Sequence, residues 1–420
     1  MLHIDWPQLL SGTVEISGSK NATLPLIAAS LFFDHARLEN VPRIGDVFTF
    51  LSIIESLWVK VSFEWNTLEM DTTLMSMTHF EEEKIKKIRV GILLIPVLLD
   101  RFWEIDLPFP GWCNLGKRSI DEHIDGFRSM GYEYAWDEKK ISFTGKKTGE
   151  DIELSGGFAV TATENMIIAN AFRKGKTTIR LAAIEPHVSC LIDMLRGAGV
   201  KIGISYDHTI TIEGSETRPH SHSATVIHDY IESGTFIILA ALTSREYLDI
   251  HHARIRDLES FLMKCREIGI RYDVLEDDTL RVYNSRDHLE AITIQTNIFP
   301  WFPTDLQSPF ALLMTQADGI SRIHEVLFEW RLNWLIEIEK MKGHIAILNP
   351  HEALIFGKTP LRWAMVSSWD LRAGVTMIIA GMIAIGKTSI TNVEYIERWY
   401  EDIIGKLTKL WAKIDHDTNA

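Results

Sequence analysis

One thiol and a nearby arginine lie in a turn that could carry chemistry. Cys113 and Arg118 share the segment PFPGWCNLGKRSID (108–121), which is rich in proline and glycine. A neighbouring cation lowers the pKa of a thiol, as reactive cysteines generally require. The alternative is a buried cysteine that only fills space, but a polar, glycine-rich loop offers little apolar packing. We therefore predict that Cys113 is reactive.

Other turns between strands and helices also carry charged or amide side chains. These residues are Lys20, Asn21, Glu185, Arg256, Asp305, Arg331, Arg372 and Arg398. Any one of them is more often part of a surface salt bridge than of a functional site. Arginine dominates the set, however, and a guanidinium matches carboxylate and phosphate groups with two parallel hydrogen bonds. The recurrence therefore predicts a cleft for a small anionic substrate.

Three other motifs resemble ligand sites only in part. GMIAIGKT (381–388) matches the phosphate-binding loop template, but an apolar helical run precedes it and the β-prone TSITNVEYI follows. The template requires a strand before the loop and a helix after it. HSHS (220–223) and HH (251–252) lack a third metal ligand at ordered spacing, which favours solvated loop histidines. We predict neither a nucleotide loop nor a metal site.

Composition narrows the class of protein. The net charge of −14 argues against a general nucleic-acid binder, which needs a basic face. The three cysteines, Cys113, Cys190 and Cys265, fit neither a disulfide framework nor a zinc pattern. The longest apolar runs, 90–99 and 375–385, are shorter than the roughly 20 residues of a membrane helix. We expect a cytoplasmic monomer with no nucleic-acid or membrane partner.

Two patterns alternate along the chain and must position these residues. The first is an apolar helix that runs into a tight hairpin, and the second is a helix, a turn, a short strand and a polar loop. Copies of the first lie at 53–71, 123–145, 191–214, 261–284 and 336–357, with a shortened copy at 403–415. Copies of the second lie at 31–46, 98–114, 171–186, 242–257, 315–330 and 384–399. Together they predict six copies of a helix, strand, helix, hairpin unit.

The six copies divide into two halves of three. A chain of 420 residues exceeds the size at which one core keeps growing, so two domains are the default. We predict one domain at 19–227 and another made of 1–18 and 228–420. The sixth copy lacks a hairpin, and we expect the N-terminal segment 3–16 to supply it. The helices are expected to pack inward and the sheets to face outward.

One position in the repeat tests the sequence against itself. The residue after each first-pattern helix is expected to be left-handed, which favours glycine. Four copies have glycine there, namely Gly131, Gly199, Gly269 and Gly343. The other two have Trp58 and Trp411. Tryptophan pays a steric penalty at positive φ that glycine avoids, so these two residues are anomalous.

Several motifs, in order and over nearly the whole chain, resemble the landmarks of the enolpyruvyl transferases. They are SGSKNA (17–22), PGWCNLGKRSID (110–121), VTATEN (160–165), IESGTF (231–236), FPTDLQ (302–307), FEWRLNW (328–334), DLRAG (370–374) and ERWYED (397–402). The resemblance implies a two-domain inside-out α/β barrel with three repeats per domain and an active site in the cleft between the domains. It also implies transfer of the enolpyruvyl group of phosphoenolpyruvate, with release of phosphate and no metal or organic cofactor.

The cysteine loop points to the branch that uses the 3′-hydroxyl of UDP-N-acetylglucosamine, in the first committed step of peptidoglycan synthesis. By this resemblance Asp305 would accept the hydroxyl proton as general base, and Cys113 would be the general acid at the pyruvyl methylene. The residues that would hold the phosphate and carboxylate of phosphoenolpyruvate, with two supporting arginines, are Lys20, Arg118, Arg372, Arg398, Arg89 and Arg331. The positions that match the nucleotide-sugar side are Asn21, Asp121, His123 and Val160.

Departures from the family pattern leave alternatives open. Ser119, Gly157 and Ala159 stand where the family often has proline, lysine and serine, which puts some uridine contacts in doubt. One alternative is a transferase of the 5-enolpyruvylshikimate-3-phosphate synthase type. Another is a non-catalytic relative that binds nucleotide sugar. A binder has no need of both an acid and a base, so the presence of Cys113 and Asp305 argues against it.

Ten tryptophans form the largest departure, because the family pattern has or readily takes glycine at each. They are Trp6, Trp58, Trp65, Trp103, Trp112, Trp301, Trp330, Trp363, Trp399 and Trp411, and Trp136 resembles them. Ten such changes are expected to overpack and strain the chain, at about 1–3 kcal/mol each, against a total stability of about 5–15 kcal/mol. One hypothesis is a genetic code in which UGA means glycine. The alternative is a divergent or engineered chain whose tryptophans are real.

Overall fold

The computed structural model describes residues 1–76, 82–87, 89–108, 120–137, 140–146, 151–205, 207–368 and 371–416. These residues divide into two compact units. Unit 1 combines Met1–Ser17 with the described residues from His228 onward, and unit 2 comprises the described residues from Gly18 to Ile227. Each unit has its own cluster of buried apolar side chains.

The described part of the chain forms short strands and helices in alternation. The strands are β1 (Leu2–Ile4), β2 (Leu10–Glu15), β3 (His35–Glu39), β4 (Lys60–Glu64), β5 (Thr67–Asp71), β6 (Glu104–Pro108), β7 (Glu133–Trp136), β8 (Lys140–Thr144), β9 (Ile152–Ser155), β10 (Lys176–Arg180), β11 (Lys201–Ser205), β12 (Thr209–Glu213), β13 (Ser221–Thr225), β14 (Ser244–His251), β15 (Tyr272–Val274), β16 (Leu280–Tyr283), β17 (Thr293–Gln295), β18 (Gly319–His324), β19 (His344–Asn349), β20 (Glu352–Gly357), β21 (Met365–Ser367), β22 (Thr388–Thr391) and β23 (Ile414–His416).

The α-helices are α1 (Lys20–Ser30), α2 (Gly45–Glu55), α3 (Glu82–Lys87), α4 (Ile95–Phe102), α5 (Asp121–Ser129), α6 (Val160–Ala171), α7 (Pro186–Gly197), α8 (Tyr230–Thr243), α9 (Glu259–Ile268), α10 (Gln307–Met314), α11 (Leu335–Lys340), α12 (Leu371–Ile383), α13 (Glu394–Glu397) and α14 (Ile403–Lys409). Short 3₁₀ helices lie at Arg89–Leu94, Ile255–Leu258, Arg286–His288 and Thr304–Leu306.

Three sheets belong to unit 2, and they share one strand order. In β9-β10-β12-β11, a strand lies parallel to the central β10, and an antiparallel hairpin completes the sheet. The order β13-β3-β5-β4 repeats this arrangement, with β13 from the end of the unit parallel to β3. The third sheet has β6-β8-β7 among the described strands. The repeated order matches the helix, strand, helix, hairpin unit expected from the sequence.

Unit 1 also has three sheets, and two of them take strands from the N-terminal segment. The sheet β2-β14-β16-β15 has β2 as its parallel strand, and β17-β18-β20-β19 lies wholly within the C-terminal part. In β21-β22-β1-β23, β1 pairs antiparallel with both neighbours. Strand β1 thus occupies a hairpin position of the sixth copy, as expected for the segment 3–16. The expectation that this copy has no hairpin strand of its own is wrong, because β23 provides one.

Buried helices form the interior of each unit. All fourteen residues of α8 and all eight of α10 are buried, as is every residue of α1 except Asn21. A helix that is apolar around its whole circumference is stable only when covered on all sides. The β-strands instead alternate buried and exposed residues, as in the pattern eBeBe of β3. Helices inside and sheets outside follow from these two periodicities.

The left-handed positions after the repeat helices confirm most of the glycine pattern. Gly131, Gly199 and Gly269 have φ of +97°, +93° and +105°. Trp58 and Trp411 have φ of +64° and +72°. In the fifth copy the prediction is off by one residue, because Lys342, with φ +68°, takes the position expected for Gly343. A Cβ at residue 343 would lie 2.4 Å from the Ile338 side chain, so close approach explains that glycine instead.

Exposure of the tryptophans corrects the expectation of overpacking. Eight of the ten tryptophans at family glycine positions are exposed at the surface, namely Trp6, Trp58, Trp65, Trp103, Trp301, Trp330, Trp363 and Trp411. Trp399 is buried, and Trp112 lies outside the described residues. Overpacking is therefore wrong for the eight exposed rings, and backbone strain is the cost that remains where φ is positive.

The structure places the three partial motifs in regular elements. Helix α12 contains the first glycine of GMIAIGKT, and β22 begins at the threonine that ends the motif, the reverse of the order in a phosphate-binding loop. The prediction of solvated loop histidines is wrong for His222, which lies in β13 with its Nε2 2.9 Å from the carbonyl oxygen of Met194. His251 likewise ends β14. Across the described ranges, every helix is too short or too polar to cross a membrane.

Candidate functional site

Asp305 lies on a short 3₁₀ turn that leads into α10. Pro303, in an extended conformation, precedes the turn and stiffens its approach. The hydroxyl of Thr304 donates a 2.8 Å hydrogen bond to the buried carboxylate of Glu325, which also accepts from the backbone N–H of Leu327 at 3.0 Å. These contacts tie the turn to the segment after β18. The Asp305 carboxylate is therefore held on a supported turn, with about a quarter of its side chain exposed.

Two buried arginines bind the Asp305 carboxylate from separate elements. Arg331 follows β18, and its Nη2 donates to Asp305 Oδ1 at 2.6 Å. Arg372 is the second residue of α12, and its Nη2 donates to Asp305 Oδ2. The two arginines are 3% and 5% exposed. Two buried guanidinium groups thus share the one carboxylate of Asp305.

The electrostatics of this cluster set the protonation state of Asp305. Burial alone would raise the pKa of Asp305, but the guanidinium groups of Arg372 and Arg331 hold it well below its usual range. Asp305 is therefore ionised at neutral pH. A carboxylate with so low a pKa is a weak base for as long as both arginines remain bound to it.

Another carboxylate, that of Asp229, is buried and interacts with the charge of Arg372. Asp229 caps α8, and its Oδ1 accepts from the backbone N–H of Ile231 at 2.8 Å. Burial raises the pKa of Asp229 to about 6; the charge of Arg372 opposes this rise, and Glu232 adds to it. Tyr400, whose hydroxyl is 3.0 Å from Thr235 Oγ1, also interacts with the charge of Arg372. Arg372 thus lies among several buried polar groups.

Unit 2 carries a different charged pair at the start of α1. Ser19 caps this helix and accepts from the backbone N–H of Ala22 at 3.4 Å, which places Lys20 in the first turn. The Lys20 ammonium forms an ion pair with Asp46, near the start of α2. Both side chains are buried, with 9% and 5% of their area accessible to solvent. A buried pair of this kind holds its cation in one place.

His123 lies buried on α5 between two partners from α6. The amide nitrogen of Asn165 lies 2.9 Å from His123 Nδ1 and also donates to the carbonyl of Ile92 at 3.0 Å. Because that amide nitrogen donates, Nδ1 is the acceptor, and the ring proton of neutral His123 lies on Nε2. Thr161 Oγ1 is 3.4 Å from Nε2. The ring is therefore fixed in orientation and tautomer.

The remaining predicted residues occupy element ends. Asn21 is partly exposed on α1 next to Lys20, Asp121 is exposed at the start of α5, and Val160 begins α6. Arg398 follows the last residue of α13 as its C-cap and is partly exposed. Arg89 begins a 3₁₀ helix. Cys113 and Arg118 lie outside the described residues. Within unit 1 the structure brings Asp305, Arg331 and Arg372 together as one cluster.

Several residues of the site escaped the sequence prediction. Asp46 and Asp229 follow no motif of their own, although each lies at the start of a helix. Glu164 and Asn165 end the motif VTATEN, but a pattern of letters does not reveal burial. Burial, together with the charge of Glu185, raises the pKa of Glu164 well above its usual value. In the sequence, the signals that could have identified these four residues were a position at the start of a helix or at the end of a motif.

Metal ligation has no support in the described part of the chain. Among those residues, no three histidine, cysteine, aspartate or glutamate side chains come close enough to hold a metal ion. The charged groups that do converge are arginines around a carboxylate, which suit an anion.

A solved structure shares the fold of this chain. The enolpyruvyl transferase NikO from Streptomyces tendae aligns with a TM-score of 0.90, over 100% of this chain and 99% of that one, at 22% sequence identity. That likeness confirms the predicted two-domain α/β fold. A family model described as EPSP synthase (3-phosphoshikimate 1-carboxyvinyltransferase) matches residues 4–407. The chain belongs to this family of enolpyruvyl transferases, so the resemblance drawn from the motifs is confirmed.

Two relatives narrow the comparison within the family. A protein of Prochlorococcus marinus named UDP-N-acetylglucosamine 1-carboxyvinyltransferase is 38% identical over 98% of this chain and 90% of its own length. A protein of Halalkalibacterium halodurans named UDP-N-acetylglucosamine 1-carboxyvinyltransferase 1 is 35% identical over 97% of this chain and 92% of its own length.

Proposed function

We propose that this chain is a transferase that moves the enolpyruvyl group of phosphoenolpyruvate to the 3′-hydroxyl of UDP-N-acetylglucosamine and releases phosphate. The observation that carries the proposal is the carboxylate of Asp305 held between the buried Arg331 and Arg372. The names of the relatives favour the nucleotide sugar over shikimate 3-phosphate as acceptor. The product would enter peptidoglycan synthesis in the cytoplasm.

The two buried arginines that share the Asp305 carboxylate support the binding of an anion. Phosphoenolpyruvate carries a carboxylate and a phosphate, and each requires fixed cations. When a substrate oxyanion binds one of these guanidinium groups in place of Asp305, the carboxylate loses part of the positive charge that lowers its pKa. The pKa of Asp305 therefore rises. Asp305 then becomes a stronger base at the moment the substrate is in place. The arginines thus couple anion binding to the general base.

The bond changes follow from this arrangement. The sugar oxygen attacks the central carbon of phosphoenolpyruvate as Asp305 takes the hydroxyl proton, and Cys113 gives a proton to the terminal methylene. The tetrahedral intermediate then loses phosphate as a C–O bond breaks, and the methyl group returns a proton to restore the vinyl group. Charge that develops on the leaving phosphate is stabilised by fixed cations, among them Arg372 and Lys20.

Unit 2 contributes the remaining roles in the proposal. Lys20, held by Asp46, supplies a second fixed cation, and the oriented ring of His123 serves the nucleotide-sugar side together with Asn21, Asp121 and Val160. Arg118, Arg398 and Arg89 complete the set of substrate-binding cations. The chain works as a monomer without a cofactor.

Phosphate release tests the proposed reaction directly. The purified protein is incubated with phosphoenolpyruvate and either UDP-N-acetylglucosamine or shikimate 3-phosphate. We expect phosphate only with the nucleotide sugar. Release with shikimate 3-phosphate instead would overturn the assignment of the acceptor, and binding of nucleotide sugar without any turnover would support the non-catalytic alternative.

A matched pair of variants tests the role of Asp305. Asp305→Asn keeps the shape but removes the base, and we expect turnover to fall by about 10²–10⁴-fold. Asp249→Asn is the control. Asp249, like Asp305, is a carboxylate bound by arginine, since it accepts two 2.8 Å hydrogen bonds from Arg281, but it lies in a sheet, on β14. Equal losses in both variants would contradict a catalytic role for Asp305.

A further inference from the structure

Apart from Trp399, the tryptophans of the described chain fall into two structural groups. Trp334 resembles a core residue: it is 2% exposed, and its indole N–H donates to the side chain of Gln307 at 3.3 Å. Nine others lie at the surface, each with at least 45% of its area exposed. A tryptophan normally gains stability by burying its large ring. The nine exposed rings forgo that gain.

Four of the exposed tryptophans adopt a backbone conformation that favours glycine. Trp58, Trp65, Trp103 and Trp411 have φ of +64°, +53°, +65° and +72°. In the described residues, tryptophan occupies more positive-φ positions than any other type except glycine; aspartate, with three, is next. Asparagine and aspartate tolerate this conformation because their short side chains bond locally, whereas a bulky residue there is an outlier.

The hydrogen bonds at the turn of residue 411 are those of the glycine turns. The N–H of Trp411 donates to the carbonyl three residues earlier, and the N–H of Ala412 donates to the carbonyl five residues earlier. Gly199 with Val200 and Gly269 with Ile270 make the same two bonds. This pattern closes a helix through a left-handed residue, usually glycine. Residue 411 therefore occupies a glycine position by conformation and by hydrogen bonding.

Trp399 differs from the exposed group because it is buried against the functional site. It is 7% exposed, and the guanidinium carbon of Arg372 lies 3.4 Å from the centre of its ring. The N–H groups that bind an anion lie at the edge of a guanidinium, whereas an indole packs over its face. The ring at residue 399 thus limits access to Arg372 by filling the space beside its guanidinium.

We propose that the native protein has glycine, not tryptophan, at residues 58, 65, 103, 399 and 411, because its source translates the corresponding codon as glycine. At residue 399 the glycine removes the indole that lies over the Arg372 guanidinium and opens the space beside that guanidinium to an anionic substrate group. The statement about substrate access at residue 399 rests on the proposed function, whereas the statement about the residue identities does not. Trp334 is a genuine tryptophan.

Peptide mass mapping of the protein purified from its native cells tests the residue identities without reference to activity. We expect peptides that carry glycine at the five positions and tryptophan at residue 334. Peptides with tryptophan at residues 58, 65, 103 and 411 would overturn the proposal, and glycine at residue 334 would overturn the division into two groups.

A pair of variants of the printed chain tests the role of residue 399. Titration with phosphoenolpyruvate is expected to show binding at least about tenfold tighter for Trp399→Gly. Trp65→Gly is the control, because the ring at residue 65 is 86% exposed in the turn between β4 and β5. It is expected to raise the melting temperature and leave affinity unchanged.

The two tests fail in different ways. If Trp399→Gly lowers the melting temperature without tightening binding, the ring is a packing residue and the inference about residue 399 is wrong. If mass mapping shows glycine but no variant turns over either acceptor, the residue assignment stands and the proposed function fails.

Discussion

The two units hold their buried cations in different ways. In unit 2 the ammonium of Lys20 is balanced by one carboxylate, Asp46, so the pair is neutral. In unit 1 the guanidinium groups of Arg331 and Arg372 share one carboxylate, Asp305, and Arg372 also interacts with the charge of the buried Asp229. The pair in unit 2 fixes its cation in position, whereas an arginine of the shared group can exchange Asp305 for a substrate anion. The difference predicts that loss of an arginine from the Asp305 cluster lowers activity, whereas loss of the Asp46 charge mainly lowers stability.

Removal of an arginine from the unit 1 cluster is expected to have the largest effect. We expect Arg372→Ala to lower kcat/KM by about 10²–10³-fold, because a buried cation that faces developing negative charge is lost. Steady-state kinetics with phosphoenolpyruvate measures the change. Arg281→Ala is the control, because Arg281 is also an arginine bound to an aspartate. It donates two hydrogen bonds to Asp249 in a sheet of unit 1. A similar loss in both variants would show that Arg372 acts only through the fold.

Neutralisation of the carboxylate in unit 2 is expected to cost stability. Asp46→Asn removes the negative charge beside the buried Lys20 ammonium, and the free energy of unfolding is expected to fall by about 3–5 kcal/mol. Urea denaturation measures this change. The exposed pair of Lys140 and Asp106 is the matched control, and Asp106→Asn is expected to cost less than about 1 kcal/mol. Equal costs would show that burial of the Lys20 pair has no energetic consequence.

The pH dependence of stability separates the two buried carboxylates around Arg372. The pKa of Asp229 is raised from 3.8 to about 6, so the folded state binds a proton that the unfolded state has released. Stability from this group is present below about pH 4 and is lost as pH rises towards 6, by on the order of 2–3 kcal/mol. The lowered pKa of Asp305 acts in the opposite sense, and its contribution is lost as pH falls below 4.

Asp229→Asn isolates the first of these effects, because asparagine still caps α8. We expect the variant to lose less stability than the parent between pH 4 and pH 6, measured by urea denaturation at both values. A slope that is unchanged in the variant would show that Asp229 keeps its ordinary pKa in the folded protein. The difference between the pKa values of Asp229 and Asp305 would then come from the arginines that bind Asp305 alone.

Local sequence patterns were enough to predict the repeats and most residues of the Asp305 cluster. They were not enough to predict which residues pair across the chain. Apolar periodicity predicts the buried helices, and the turn residues led to Asp305, Arg331 and Arg372 because each lies at a strand-to-helix junction. The partner of Lys20 could not be predicted, since Asp46 lies 26 residues away and only the packing of α1 on α2 brings them together. The tautomer of His123 likewise depends on Asn165, which a different helix supplies.

The helix ends of the two units offer the smallest and most local test. Gly199 in unit 2 and Lys342 in unit 1 occupy equivalent left-handed positions, with φ of +93° and +68°. A Cβ at residue 199 would meet nothing within 4 Å, so Gly199→Ala measures the conformational cost alone, which we expect to be about 1 kcal/mol of lost stability. Lys342→Gly is expected to gain a similar amount, because glycine relieves the same strain. Thermal denaturation of both variants checks the pair, and a loss of stability in Lys342→Gly would show that the lysine side chain contributes more than its backbone conformation costs.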